Sequence, residues 1–242
     1  MKKRASISDR ELIRSSTKSS WHCRGVVRWR SLPGVDITGI LLQFIVLVLS
    51  LSVHEAAHAW SADRLGDPTA RRLGRVSLNP AVHVDPIGTI LFPLIAMVSN
   101  VPLIGWAKPV PVAVQNLRGN WRQKYMLIAA AGPASNLLLA VLFAIALRVS
   151  SGGSPFEVVA GPVDRVLFNA VTLNVLLAVF NMVPVPPLDG GNVLAGLLQG
   201  PAAEALDRIR PYGFIIIYGL LLSGILWAFV DPIAASIRSV LL

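Results

Sequence analysis

Val53-His54-Glu55-Ala56-Ala57-His58-Ala59-Trp60 decides how the chain is read. It carries the pattern H-E-x-x-H and closes an apolar run that begins at Ile37. Helical residues four apart share a face, so His54 and His58 point the same way. Two imidazoles so placed can bind one Zn2+, and Glu55 can take a proton from water on that metal. Soluble zinc proteases carry the same pentapeptide, but here the setting is different. Between Ile40 and His54 the only polar residues are Gln43, Ser50 and Ser52. Ionisable groups in such a segment are costly and by default mark a functional site. An amphipathic helix whose histidines bond elsewhere would account for a lone histidine. It gives no reason for an i, i+4 pair with a glutamate beside the first.

Composition points the same way. The chain has 242 residues, 54% hydrophobic and 14% charged, with a mean hydropathy of +0.62. These values suit a polytopic membrane protein better than a soluble domain. The net charge of +9 is uneven: residues 1–30 hold nine basic side chains against Asp9 and Glu11, leaving +2 for the rest. No basic groove with stacking aromatics follows the tail, which argues against nucleic acid as a partner. Cys23 is the single cysteine, so disulfides within the chain and cysteine metal clusters are excluded.

Residues 1–36 read as a basic, disordered or surface-lying tail, and 37–242 as one membrane domain. The first span runs from Ile37 to about Ala62 and ends at Gly66-Asp67-Pro68. A polar, broken stretch follows, with short β pieces expected at Leu73–Leu78 and His83 read as a loop residue outside the site. Pro86–Trp106 is apolar but interrupted by Pro93, Asn100 and Pro102. Pro109-Val110-Pro111-Val112-Ala113-Val114 reads as extended, since each proline biases its predecessor away from the helix. Lys124–Arg148 is the second clear span. It carries Ala131-Gly132-Pro133, whose small residues allow close helix approach, and Asn136, which needs a polar partner at membrane depth. Val163–Val183 is the third span and Tyr212 to about Ile237 the fourth, broken late at Asp231-Pro232.

The third span runs into Val183-Pro184-Val185-Pro186-Pro187-Leu188-Asp189-Gly190-Gly191, where three prolines in four positions forbid a helix. Irregular backbone at that depth is tolerated only inside protein or beside a watery cavity. Asp189 is the carboxylate of that broken end. Alone it would pass for a helix cap. Beside a two-histidine site in need of a third ligand it becomes the best candidate, ahead of Glu157 and Glu204, which sit in hydrophilic loops.

With His54-Glu55-x-x-His58 in one apolar helix and Asn181-x-x-Pro184-x-Pro186-x-Leu188-Asp189-Gly190 closing another, the chain resembles the site-2 protease family of intramembrane zinc metalloproteases, in its short prokaryotic form without PDZ or CBS modules. Arg64-Leu65-Gly66-Asp67-Pro68-Thr69-Ala70, Leu78-Asn79-Pro80, Gly105-Trp106-Ala107-Lys108-Pro109-Val110-Pro111-Val112 and Ala131-Gly132-Pro133-x-x-Asn136 match the same members. The resemblance implies regulated intramembrane proteolysis: hydrolysis of peptide bonds in or beside the transmembrane segments of membrane-protein substrates. It further implies one Zn2+ per chain on His54, His58 and Asp189, Glu55 as the base, and Asn136 and Asn181 holding or polarising the substrate. An ion-coupled transporter and a non-catalytic membrane adaptor of the same fold are the rival readings.

Parity constrains the topology. His58 and Asp189 can share a metal only at one membrane depth, so an even number of crossings separates them. The second and third spans already supply two, and Pro86–Trp106 is therefore expected to be re-entrant or interfacial. The expected fold is thus an all-α polytopic membrane protein of about four transmembrane helices, with that segment and short β pieces around an intramembrane zinc site. The zinc end then carries Arg64, Arg71, Arg72, Arg75, Lys108, Arg118, Arg122, Lys124, Arg208 and Arg210, against Arg148, Arg165 and Arg238 opposite. The positive-inside rule turns the zinc end toward the cytoplasm, in a cell (inner or plasma) membrane. The basic tail falls on the other side, against the rule, and the ten loop charges are given more weight because they flank several helices.

Overall fold

The computed structural model describes residues 37–99, 105–151 and 161–242. The tail and Glu157 lie outside the described residues. Helix α1 spans Ile37–Arg64, 28 residues. At ~1.5 Å per residue it is ~42 Å long, enough to cross a hydrocarbon core of ~30 Å and project beyond it. Its end is a Schellman turn: Gly66 takes φ 113°, the Asp67 N–H bonds the Ala62 carbonyl at 2.9 Å, and the Gly66 N–H bonds Asp63 at 3.3 Å. A four-residue α2 (Thr69–Arg72) follows. Then comes a π turn over Pro86–Leu91, capped by Asp85 on the Ile87 and Gly88 N–H groups, which leads into α3 (Phe92–Ser99).

Helix α4 spans Trp121–Ser150 with Pro133 inside it, and α5 spans Pro162–Asn181. Both are long and apolar enough to cross a membrane. They pack through Ala140 and Ala144 of α4 and Val171, Val175 and Val179 of α5. Small and β-branched side chains let the backbones approach where lipid offers no hydrophobic drive to association. The chain then turns back through Met182–Leu188 into α6 (Asp189–Leu197), which lies along α4. Three helices finish the chain: α7 (Pro201–Ile209), α8 (Gly213–Leu222) and α9 (Ile225–Leu241).

Hydrogen bonds fix which helix ends lie together. The Lys124 ammonium donates to the Leu65 carbonyl at 2.9 Å. Asp67 accepts from the Ala113 N–H and the Asn116 side chain, both at 2.7 Å. So α1 leaves and α4 begins at the same level. Between them, the Lys108 N–H bonds the His83 carbonyl at 2.8 Å, and the Trp106 N–H bonds Gly88 at 3.0 Å. The apolar segment over 86–106 therefore departs from and returns to one place.

Two expectations are corrected. The β pieces do not exist: no strand occurs among the described residues. Across Leu73–Leu78 the backbone turns instead. Gly74 adopts φ 69°, the Arg75 N–H closes back on Ala70, and the Ser77 carbonyl takes a hydrogen bond from His83 rather than from a partner strand. In Gly105–Ala113 the chain is non-helical and pairs with no strand among the described residues. The last span is also not one helix. It bends by 77° between α8 and α9, where Gly224 sits in the left-handed region at φ 77°, and Pro232 is accommodated inside α9.

Candidate active site

Helix α1 buries the apolar segment's polar residues inward. Ser50, Ser52, His54, Glu55, His58 and Ser61 are all buried, whereas Leu41, Ile45, Leu49 and Trp60 are exposed. His54 and His58 are thus turned onto α4, with ring centroids 4.6 Å apart. They lie ~9–15 Å along the helix from Arg64, below its charged end. The break after α5 returns Asp189 to them as the first residue of α6. That return needs close backbone packing: a Cβ on Gly190 would strike the Met182 carbonyl, and one on Gly191 the Pro186 backbone.

Ligand-type atoms of His54, His58 and Asp189 all lie within 4.8 Å of one another. His54 Nε2 is 3.1 Å and His58 Nε2 3.3 Å from the two Asp189 oxygens, and the two Nε2 atoms are 3.0 Å apart. The other ring nitrogens define the protonation. His58 Nδ1 lies 2.7 Å from the Ile128 carbonyl and His54 Nδ1 2.6 Å from the Asn136 Oδ1. Both oxygens can only accept, so each Nδ1 is a donor, and each ring in its neutral form presents Nε2 as the ligand atom. In that form two nitrogen lone pairs and a carboxylate face one point. Such a donor set repels itself unless a cation sits inside it, and two imidazoles with one carboxylate suit Zn2+. Space for the cation comes from Gly132 of α4, where a Cβ would meet the Nε2 atoms of both histidines. The residues fit a zinc ion.

Glu55 is buried beside this cluster and its Oε2 accepts from the Val110 N–H at 3.2 Å. Asn181 lines the same cavity and donates to the Leu177 carbonyl at 2.9 Å. Asn136 does not face the cavity. It is fully enclosed and meets His54 on one side and Asn174 and the Ser50 carbonyl on the other. The cavity holds about 620 Å3 and its wall is largely apolar, with Leu51, Leu177, Phe180, Phe214 and Trp227 around the polar cluster. Trp106 touches both Phe92 and Phe214 at its rim.

His83 is buried away from the cluster, its Nε2 donating to Ser77, and Glu204 is exposed on α7 beside Arg208. Sequence reading missed Asn174, Ser50, the Ile128 carbonyl and the role of Gly132. Asn174 was within reach, as it lies two turns before Asn181 in an apolar helix, a polar residue at depth like Asn136. The Ile128 carbonyl left no signal, because any residue supplies one.

A helical membrane fold that gathers two histidines, a carboxylate and a glutamate around a buried cavity defines an intramembrane metalloprotease. Residues 42–223 match Peptidase family M50, and the chain belongs to that family, the zinc metalloproteases of the site-2 type. It is similar to the protein named "Putative zinc metalloprotease YwhC" of Bacillus subtilis (strain 168), 35% identical over 189 residues, covering 76% of this chain and 83% of that one. It is also similar to "Putative zinc metalloprotease Rip2" of Mycolicibacterium smegmatis, 30% identical over 219 residues, covering 87% and 77%. No solved structure matches the chain. The protein is a multi-pass membrane zinc metalloendopeptidase, and the transporter and adaptor readings fall away.

Proposed function

We propose that His54 Nε2, His58 Nε2 and an Asp189 oxygen hold the zinc, that Glu55 is the general base, and that Asn181 polarises the scissile carbonyl. The convergence of three ligand-type atoms, one from each of His54, His58 and Asp189, carries this reading. A zinc ion held by these residues would supply Lewis acidity, polarising a carbonyl and making water acidic enough to lose a proton near pH 7. Glu55 takes that proton and later returns it to the leaving amine. The Val110 N–H holds the Glu55 carboxylate toward the cavity rather than letting it swing onto the helix. Asn181 spends one amide N–H on Leu177 and keeps the other for a developing oxyanion.

Substrates are apolar segments of membrane proteins, matched to the cavity wall, and they unwind locally to expose a peptide bond. Among the described residues, the Val112 N–H and the carbonyls of Lys108, Val110 and Val112 have no hydrogen-bond partner. These groups alternate along a non-helical run whose middle touches Glu55, so an unwound substrate pairs there by strand addition. The ten basic loop residues at the zinc end turn the site toward the cytoplasm. Zinc content and cleavage of a transmembrane model substrate in detergent test the assignment together. Asp189→Ala loses the metal. Glu55→Gln keeps it and loses turnover by at least about a hundredfold; near-normal cleavage by Glu55→Gln would remove it from the mechanism.

A further inference from the structure

Three polar side chains deep between α1, α4 and α5 form a chain of hydrogen bonds with a direction. Asn174 Nδ2 donates to the Ala170 carbonyl at 2.9 Å and to Ser50 Oγ at 3.0 Å. Its Oδ1 accepts from Asn136 Nδ2 at 3.0 Å, and the Asn136 Oδ1 accepts from His54 Nδ1 at 2.6 Å. Asn136 Nδ2 also approaches the Ser50 carbonyl at 3.4 Å. Ser50, Asn136 and Asn174 are at most 1% exposed, so water cannot substitute for any partner. An amide can be turned end for end, and its orientation follows from its neighbours. Here a backbone carbonyl, Ala170, begins the series and can only accept. It forces the Asn174 NH2 toward itself and the Asn174 oxygen toward Asn136. That oxygen forces the Asn136 NH2 to face it and the Asn136 oxygen to face His54.

The structure assigns Asn174 as a positioning residue for the metal centre: through Asn136 it sets which nitrogen of His54 carries the proton and which is free for zinc. With the ladder reversed, an NH2 group would face His54 Nδ1, the proton would move to Nε2, and the ligand lone pair would be lost. The same ladder explains why Asn136 has no amide hydrogen to spare for a substrate. This inference rests on the reading of His54 as a zinc ligand.

Zinc affinity by chelator competition, on the full chain in detergent, tests it. Asn136→Leu weakens zinc about 10–100-fold and Asn174→Leu at least about threefold. Combining them costs no more than Asn136→Leu alone, because both act through one ring. Ser50→Ala leaves affinity unchanged, since Ala170 still sets the direction. Val171→Ala, a fully buried apolar neighbour on α5, lowers Tm without touching affinity. The visible bands of the cobalt-substituted protein shift in Asn174→Leu and not in Val171→Ala. Unchanged zinc affinity and cobalt bands in Asn174→Leu overturn the proposal. Should that variant not fold, 15N NMR of the zinc-loaded wild type decides: a proton on His54 Nδ1 supports the ladder and one on Nε2 sinks it. A wild type that binds no zinc would instead remove the ligand assignment beneath it.

Discussion

Gly132 contributes to the proposed metal centre only the absence of a side chain, since a Cβ there would strike the Nε2 atoms of His58 and His54. A Gly132→Ala methyl would occupy the point where the two imidazoles converge. The expected outcome is zinc affinity weakened at least about a hundredfold, while the metal-free protein changes stability by only about 1–3 kcal/mol; zinc content and Tm of the chelated protein separate the two. The two asparagines divide in the same way. Asn181→Ala removes a donor at the cavity wall and is expected to lower kcat by about 10²–10³ with zinc retained. Asn136→Leu acts through His54, so its loss of activity is recovered at high zinc. Steady-state kinetics at two zinc concentrations distinguishes them.

At the scale of elements, one carboxylate gathers several of the hydrogen bonds that hold the connection between α1 and α4. Asp67 is fully buried and accepts from the Thr69 N–H and hydroxyl, the Ala113 N–H and the Asn116 amide. Burial pushes its pKa up, but the hydrogen bonds from Asn116, Thr69 and Ala113 together outweigh burial and hold it below the usual carboxylate range. A carboxylate whose pKa is lower folded than unfolded stabilises the fold above the unfolded value of ~3.9 and loses that contribution as pH falls through the folded value. Asp67→Asn should therefore cost at least about 2 kcal/mol at neutral pH. It should also flatten the loss of stability below about pH 4, as read by Tm against pH. Because Asp67 anchors Ala113, the variant should also raise KM for a transmembrane substrate more than it lowers kcat.

Over the whole molecule, the arrangement of crossings is the property on which the site depends. Cysteines placed at Arg72 and Arg118 should react with a membrane-impermeant reagent from one side, and a cysteine at Val149 only from the other; all three positions are exposed. Labelling of Arg72→Cys and Arg118→Cys from opposite faces would mean that the segment over 86–106 crosses the membrane, and Asp189 could not then meet His58.

Much of this was legible in residue order. The i, i+4 histidines with their glutamate, the apolar runs long enough to span, and the prolines that break the chain before Asp189 are local patterns, and local geometry interprets them directly. The expected parity of crossings rests on the need for one shared depth, and the cysteine labelling above decides it. The β pieces were misread because a short stretch such as Leu73–Leu78 becomes a strand only if a partner edge exists, and a partner is a tertiary fact. The last helix was misjudged because Asp231-Pro232 looked like the breaker, whereas the left-handed Gly224 made the bend.

The sequence by itself determined the candidate ligand residue types, the membrane setting and the three long apolar helices, since each depends on spacing and hydropathy along the chain. Only the tertiary structure decided that Asn136 meets a histidine and not the cavity, that Ile128 and Ala170 lend their carbonyls, and that Gly132 leaves open the space beside the two imidazoles. Those are matters of which groups face each other across helices. Facing is set by packing, where a backbone oxygen counts as much as a side chain and leaves no mark in the sequence.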